Sequence, residues 1–139
     1  MERKPAAGGV VRPVFPSFCI SEQKRRNVFP RHRHEAYEMI LVDRGTYLGR
    51  LNGAALTLRP GRALLVKPGD WHEDACVPPL RYRGLRFQVE WPGGADPALF
   101  GAGARPGNQV FPAPPAVFGL LFDKIGACLL YTSPSPRDS

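Results

Sequence analysis

The sequence predicts an all-β fold, with short antiparallel strands closed into a small barrel or sandwich, and three observations predict it. Gly 15 and Pro 16 among 139 residues take more than a fifth of the chain, against a usual share of roughly an eighth. That much punctuation excludes a helical bundle or coiled coil. From Val28 onward, short apolar segments alternate with turn residues about every ten positions. Between two of them stands Asn52-Gly53, the strongest short hairpin signal, because a type I′ turn needs positive φ at both central residues. Hydrophobic content of 43% and charged content of 22% are those of a globular domain, which excludes wholesale disorder.

Taken in order, residues 1–13 read as a flexible arm, broken by Pro5, Gly8, Gly9 and Pro13. Val14–Ile20 reads as an edge strand, where Pro16 is tolerated. The strands expected next are Tyr37–Val42, Tyr47–Leu51, Ala55–Leu58, Ala63–Lys67, Glu73–Val77 and Leu80–Val89. In the last of these the apolar phase slips at Gly84, from Leu80 and Tyr82 to Leu85, Phe87 and Val89, which predicts a β-bulge there. Residues 14–91 thus make the barrel, and the Gly/Pro/Ala-rich stretch 92–115 reads as a linker. At 116–127 a helix begins, with Val117, Leu120, Leu121 and Lys124 in i, i+3, i+4, i+7 spacing. The tail 128–139 breaks that pattern. Cys128 to Asp138 resembles one reading frame of the adapter left by transposase-based sequencing libraries, so the expectation is an artefact, with the gene continuing past Ala127 into other sequence.

Charge and cysteine usage narrow the class. The net charge of +7 is concentrated in residues 1–33, where Arg3, Lys4, Arg12, Lys24, Arg25, Arg26, Arg31 and Arg33 face only Glu2 and Glu22. Two readings stay open: an arm that meets nucleic acid or an anionic surface, or a solvated tail from an arginine-preferring genome. Cysteines 19, 76 and 128 show no CxxC pairing and no even-numbered framework, so no zinc knuckle or disulfide scaffold is indicated. No run of about 18 apolar residues could cross a bilayer, and Met1-Glu2-Arg3-Lys4-Pro5 lacks the apolar stretch of a secretory signal. The expected compartment is the cytoplasm, with no membrane partner.

The chemistry sits with the three histidines. His32-Arg33-His34-Glu35-Ala36-Tyr37-Glu38 is an H-x-H-x3-E pattern. On extended backbone, residues 32, 34 and 38 project from one face. His72 follows the turn Pro68-Gly69-Asp70 at the end of a separate strand. Three imidazoles and a carboxylate converging in a barrel suit a divalent metal: Zn, Fe, Mn or Ni.

These residues resemble the two-part motif of the cupins. Its first part, G-x5-H-x-H-x3,4-E-x6-G, is matched by His32, His34, Glu38 and Gly45, with Arg26 where the leading glycine belongs. Its second part, G-x5-P-x-G-x2-H-x3-N, is matched by Gly61, Gly69 and His72. Lys67 holds the proline position, with Pro68 displaced by one, and Cys76 holds the asparagine position. The resemblance spans about residues 28–90 and implies a double-stranded β-helix, or jelly-roll, with His32, His34, Glu38 and His72 as ligands. The wording of residues 32–45 and 58–72 is similar to the N-terminal domain of AraC-type transcription regulators. That likeness implies an arm, a cupin barrel that binds a small effector such as a sugar, and a helix through which two copies dimerise. DNA would be bound by a helix-turn-helix half that follows. Trp71 and Tyr82 read either as ordinary buried residues at the barrel mouth or as contacts to the effector.

Two functions follow, of different kinds. One is a non-catalytic sensing and dimerisation domain, in which the histidines and Glu38 either hold a metal or floor a polar pocket. The other is a stand-alone metal-dependent enzyme, an oxygenase or sugar isomerase, with the same four residues as ligands. Fold alone does not choose between them.

Overall fold

A computed structural model of the chain describes residues 12–90 and 106–132. Seven antiparallel strands form the sheet: β1 (Arg12–Gln23), β2 (Asn27–His32), β3 (Tyr37–Leu51), β4 (Ala54–Leu58), β5 (Arg62–Val66), β6 (His72–Glu90) and β7 (Val110–Pro112). Two helices, α1 (Pro106–Gln109) and α2 (Leu120–Thr132), accompany them, and Pro115–Gly119 leads into α2 as a wider π-type turn. This is the expected all-β fold of antiparallel strands, flanked by a C-terminal helix.

Two long strands organise it. β3 pairs with β6 along almost its whole length, but the register breaks between Val42 and Arg44 and again between Gly45 and Tyr47. On one side of the break β3 pairs with β5 and β6 with β1; on the other, β3 pairs with β4 and β6 with β2. The break therefore divides the ladder into two facing halves. Gly45 makes the corner with φ +87°, and a Cβ there would lie 2.1 Å from the Pro79 carbonyl oxygen. Only glycine meets both demands.

The break also switches which residues face inward. Ile40 and Val42 share the interior cluster with Tyr47 and Leu51, so the inward phase passes from even to odd positions across it. Leu58, Leu64, Val66, Leu80 and Tyr82 complete that core. A second core lies on the outside of the sheet, where Tyr37, Leu41, Leu65, Leu85 and Phe87 meet Phe122 of α2.

The turns follow their sequences. Asn52 (φ +50°) and Gly53 (φ +86°) close the two-residue hairpin between β3 and β4, as expected. Lys67-Pro68-Gly69-Asp70 closes with the Asp70 N–H donating to the Lys67 carbonyl at 3.0 Å, with Gly69 at φ +83°. Proline second and glycine third are what such a turn requires.

Several expectations need correction. The pairs Tyr37–Val42 with Tyr47–Leu51, and Glu73–Val77 with Leu80–Val89, are not separate strands but halves of β3 and β6. No bulge occurs at Gly84, which pairs in register with Ile40 and Cys19. The apolar phase slips because β6 is buried on both faces, Leu80 and Tyr82 inside the barrel and Leu85 and Phe87 under α2. The irregularity in β6 falls instead between Cys76 and Leu80. Of the expected arm 1–13, residues 1–11 lie outside the described residues, while Arg12 and Pro13 belong to β1. Pro16 does sit at an edge-strand irregularity, between Val14 and Ser17.

Within the expected linker 92–115, residues 92–105 lie outside the described residues, and 106–112 form α1 and β7. Val110 and Phe111 pair with Leu64 and Ala63, because β5 has an open edge for them. The helix expected at 116–127 includes the π-type turn, and α2 continues across that boundary to Thr132. Its core-facing stripe is Phe122, Ile125 and Leu129, in line with Phe118 of the preceding turn. The expected stripe has the right period on the wrong face: Val117, Leu120 and Leu121 are each about half exposed. The aromatic residues supply more apolar area for burial, and they take the sheet side.

Replacing Gly45 with alanine forces a methyl group onto the Pro79 carbonyl in an unfavourable φ. The expected loss of stability is about 2 kcal/mol or more. Urea unfolding of Gly45→Ala beside Gly53→Ala checks it, since nothing lies within 4 Å of a Cβ at Gly53. A loss at position 45 no larger than at position 53 would contradict the corner assignment.

Candidate functional site

The barrel fold brings four of the predicted residues to one place. His32 closes β2 and pairs in register with His72, the first residue of β6. Glu38 lies on the other half of β3, beside Val66 and Arg86. The two halves face each other, and Glu38 therefore reaches the histidines across the interior. Its Oε1 lies 3.2 Å from His34 Nε2 and 3.5 Å from His72 Nε2. The ring centres of His32 and His72 are 4.1 Å apart, and those of His34 and His72 are 5.1 Å apart. One ring nitrogen from each histidine falls within 4.8 Å of the others.

Local structure aims these rings. His32 Nδ1 is 2.8 Å from the Pro30 carbonyl, and His34 Nδ1 is 2.8 Å from the Ala36 carbonyl. Each carbonyl accepts from the Nδ1–H, which orients the ring and turns its Nε2 edge away from the local backbone. His72 Nδ1 has no partner among the described residues although it is buried. The turn that delivers His72 is itself anchored. Asp70 accepts from the Lys67 backbone N–H at 2.8 Å, from Asn52 Nδ2 at 3.0 Å and from Gln109 Nε2 at 2.9 Å.

Glu38 is the electrostatic centre. Burial pushes its carboxyl pKa up, but hydrogen bonds from His34 and His72 and the nearby Arg86 guanidinium outweigh that and bring it down to about 2. Arg86 Nε lies 3.8 Å from Glu38 Oε2. The carboxylate also needs room. A Cβ at position 84 would stand 3.2 Å from Glu38 Oε2 and 3.1 Å from Cys19 Sγ, so Gly84 is clearance for the acid.

Tyr82 faces this interior, with its ring edge-on to Tyr47 at 5.6 Å. Trp71, just before β6, packs its indole against Arg31 and Arg33 and lines a groove with His72.

Sequence reasoning missed two further inward groups. Asp74 is buried two residues beyond His72, and the Tyr47 hydroxyl donates a short hydrogen bond to its Oδ1. Burial raises the Asp74 pKa, against the Tyr47 hydrogen bond and the His72 charge, and burial beside Asp74 raises that of Tyr47. Alternation from His72 could have found Asp74. Tyr47 depends on the phase switch in β3, which leaves no local mark.

A family model described as AraC-like ligand binding domain matches residues 14–121. The chain belongs to this family. Among relatives, the HTH-type transcriptional activator RhaR of Klebsiella pneumoniae is 31% identical over 113 residues, 72% of this chain and 40% of that protein. The HTH-type transcriptional activator RhaS of Escherichia coli O81 is 31% identical over 78 residues, 52% of this chain and 28% of that protein. The AraC-like domain thus spans less than half the length of either. Among solved structures, KdgF from Halomonas sp. aligns with TM-score 0.45 and 20% identity, over 55% of this chain and 77% of its own. A variant of salicylate 1,2-dioxygenase from Pseudoaminobacter salicylatoxidans aligns with TM-score 0.48 and 17% identity, over 81% of this chain and 40% of its own. No helix among the described residues is long and apolar enough to cross a membrane.

The depressed Glu38 pKa makes an acid-limb prediction. A carboxylate whose folded pKa lies below its unfolded value stabilises the fold above about pH 4.5, and that contribution is lost as pH falls towards 2. It amounts to at most about 3 kcal/mol. Asp74, with its raised pKa, acts in the opposite sense over the same acidic range, so the comparison must isolate Glu38. Thermal melts of the unsubstituted chain and Glu38→Gln are expected to converge as pH is lowered from about 6 to about 2.5. A constant gap would show that Glu38 is not held ionised.

Proposed function

We propose that this chain is the effector-sensing and dimerisation part of an AraC-type transcription regulator and that it is not itself an enzyme. The carrying observation is the family match over residues 14–121 on a barrel whose inward polar groups gather at Glu38 and the three histidines. A small polyhydroxylated molecule, a sugar or another carbon source, suits that interior. Its hydroxyls would donate to Glu38 and accept from imidazole N–H groups, while Tyr82 supplies an aromatic wall. On this reading, two copies pair through the exposed apolar residues Val117, Leu120 and Leu121. DNA would be bound by a following helix-turn-helix half, with Cys128 to Asp138 read as adapter sequence, and the regulator would work in the cytoplasm.

The cluster also fits a divalent ion. Three imidazoles and a carboxylate lie close together, and the buried His72 Nδ1 lacks a protein partner. His32, His34, Glu38 and His72 would hold Zn, Fe, Mn or Ni, which would offer a Lewis-acid contact to a ligand oxygen. The same cluster favours the second reading, a metal-dependent oxygenase or sugar isomerase. Elemental analysis of the purified chain beside His34→Ala separates ion from polar pocket. Bound metal is expected in the former and is expected to fall as pH drops through the histidine range. Near-zero metal in both leaves the polar pocket alone.

The regulator reading is tested by fluorescence anisotropy with the gene's own upstream region and a scrambled duplex. This chain is expected to show no preference at near-physiological salt, because base readout commonly needs a recognition helix in the major groove. The protein made from the gene read past Ala127 is expected to prefer the native duplex. Preference by the chain alone, or none by the longer protein, would overturn the assignment.

A further inference from the structure

The alternation that sends the histidines inward sends arginines outward from the same segment. Arg31 and Arg33 bracket His32, and both stack on Trp71, with Cζ at 4.3 Å and 4.8 Å from the indole ring centre. Arg31, Arg50, Asn52, Trp71, His72 and Glu73 line a groove of about 330 Å³. Arg50 and Glu73 are register partners on β3 and β6 but form no ion pair within 4 Å. Among the described residues, no carboxylate pairs with Arg31, Arg33 or Arg50, so the arginines outnumber the one acid in the groove.

The platform beneath them is rigid. The Trp71 backbone N–H donates to Asn52 Oδ1 at 2.9 Å, and the Asn52 N–H donates to the Trp71 carbonyl at 2.7 Å. Asn52 in turn donates to the buried Asp70. A guanidinium stacked on an aromatic face keeps its edge N–H groups free for bidentate bonding to an oxyanion. Gathering unpaired guanidiniums on one ring costs repulsion that a bound anion would relieve.

We propose that Trp71, Arg31, Arg33 and Arg50 form an anion-binding groove on the outer wall of the barrel, taking a small ligand that carries a phosphate or carboxylate group. The groove touches the interior cluster at His72 alone of its four residues, and the guanidiniums stacked on Trp71 stand whether or not that cluster binds an effector. Its volume admits a small molecule. The shared chemistry is an oxyanion held at a guanidinium edge, with an apolar or sugar face free to lie on the indole.

Trp71 reports its own occupancy. The whole chain carrying Trp91→Phe leaves Trp71 as its single tryptophan. Its emission is followed while inorganic phosphate, glucose 6-phosphate or glucuronate is added at constant ionic strength, with chloride as control. A saturable change is expected with at least one of the three and not with chloride; the phosphate and carboxylate arms identify the group preferred. Arg31→Gln combined with Arg33→Gln is expected to raise the midpoint at least about tenfold. Arg25→Gln combined with Arg26→Gln, which removes equal charge elsewhere, is expected to leave it within about twofold. Because emission alone can change with stacking, Arg50→Gln, which leaves both stacked arginines in place, is expected to weaken binding as well. No saturable change, an equal change with chloride, or an unchanged midpoint in the Arg31/Arg33 variant would overturn the proposal. So would a DNA duplex that displaces the best small anion at matched salt and binds with the steep salt dependence of many phosphates, since that outcome assigns the surface to nucleic acid.

Discussion

A carboxylate held inside a barrel must be met by donors, and Glu38 is met from the opposite half of the fold. Removing an ionised acid from water costs several kcal/mol unless hydrogen bonds and opposite charge replace the solvent. His34 and His72 at 3.2 Å and 3.5 Å, with Arg86 behind, supply that replacement. The pairing works only if the ladder bends at Gly45, if the Asp70-anchored turn delivers His72 inward, and if position 84 carries no side chain. Corner, turn and clearance are thus three consequences of one buried charge.

Much of this was legible in the sequence, because it depends on short spacings. Period-two alternation sets His32, His34 and Glu38 on one face, and Pro68-Gly69 announces the turn before His72. Asn52-Gly53 declares its hairpin from two residues alone. What was not legible depends on which surfaces are covered. A strand buried on one face alternates cleanly, whereas β6 is buried on both, and its Leu80-Tyr82 and Leu85-Phe87 pairs imitate a bulge. The residues read as linker hold Val110 and Phe111, whose strand character appears only because β5 offers an open edge. In α2, the period was readable but the buried side was decided by Phe118 and Phe122, which meet an outer core that no local pattern reveals.

The site shows the same division. Its four principal residues came from spacing, but Tyr47 and Asp74 came from the phase switch and from burial. Trp71 is the instructive case. Trp71 and His72 are adjacent in the chain and line one groove, yet the indole stacks with the arginines while the imidazole turns towards Glu38.

Alternation gives one strand two sets of neighbours. Along β6, His72, Asp74, Tyr82 and Gly84 meet the interior, while Arg83 between the last two and Leu85 just beyond meet the helix side. Arg83 is buried, bonds both carboxylate oxygens of Asp43 at 2.9 Å and 3.0 Å, and reaches Asp123 of α2 at 2.5 Å. Its guanidinium also lies 5.7 Å from the Phe122 ring centre. A close-packed strand transmits displacement rather than absorbing it. Tyr82 and Gly84, which face the interior, are each one peptide unit from Arg83, which bonds to the helix. No longer chain of contacts is needed to connect the inside of this barrel with its C-terminal helix: the connection is one peptide unit long.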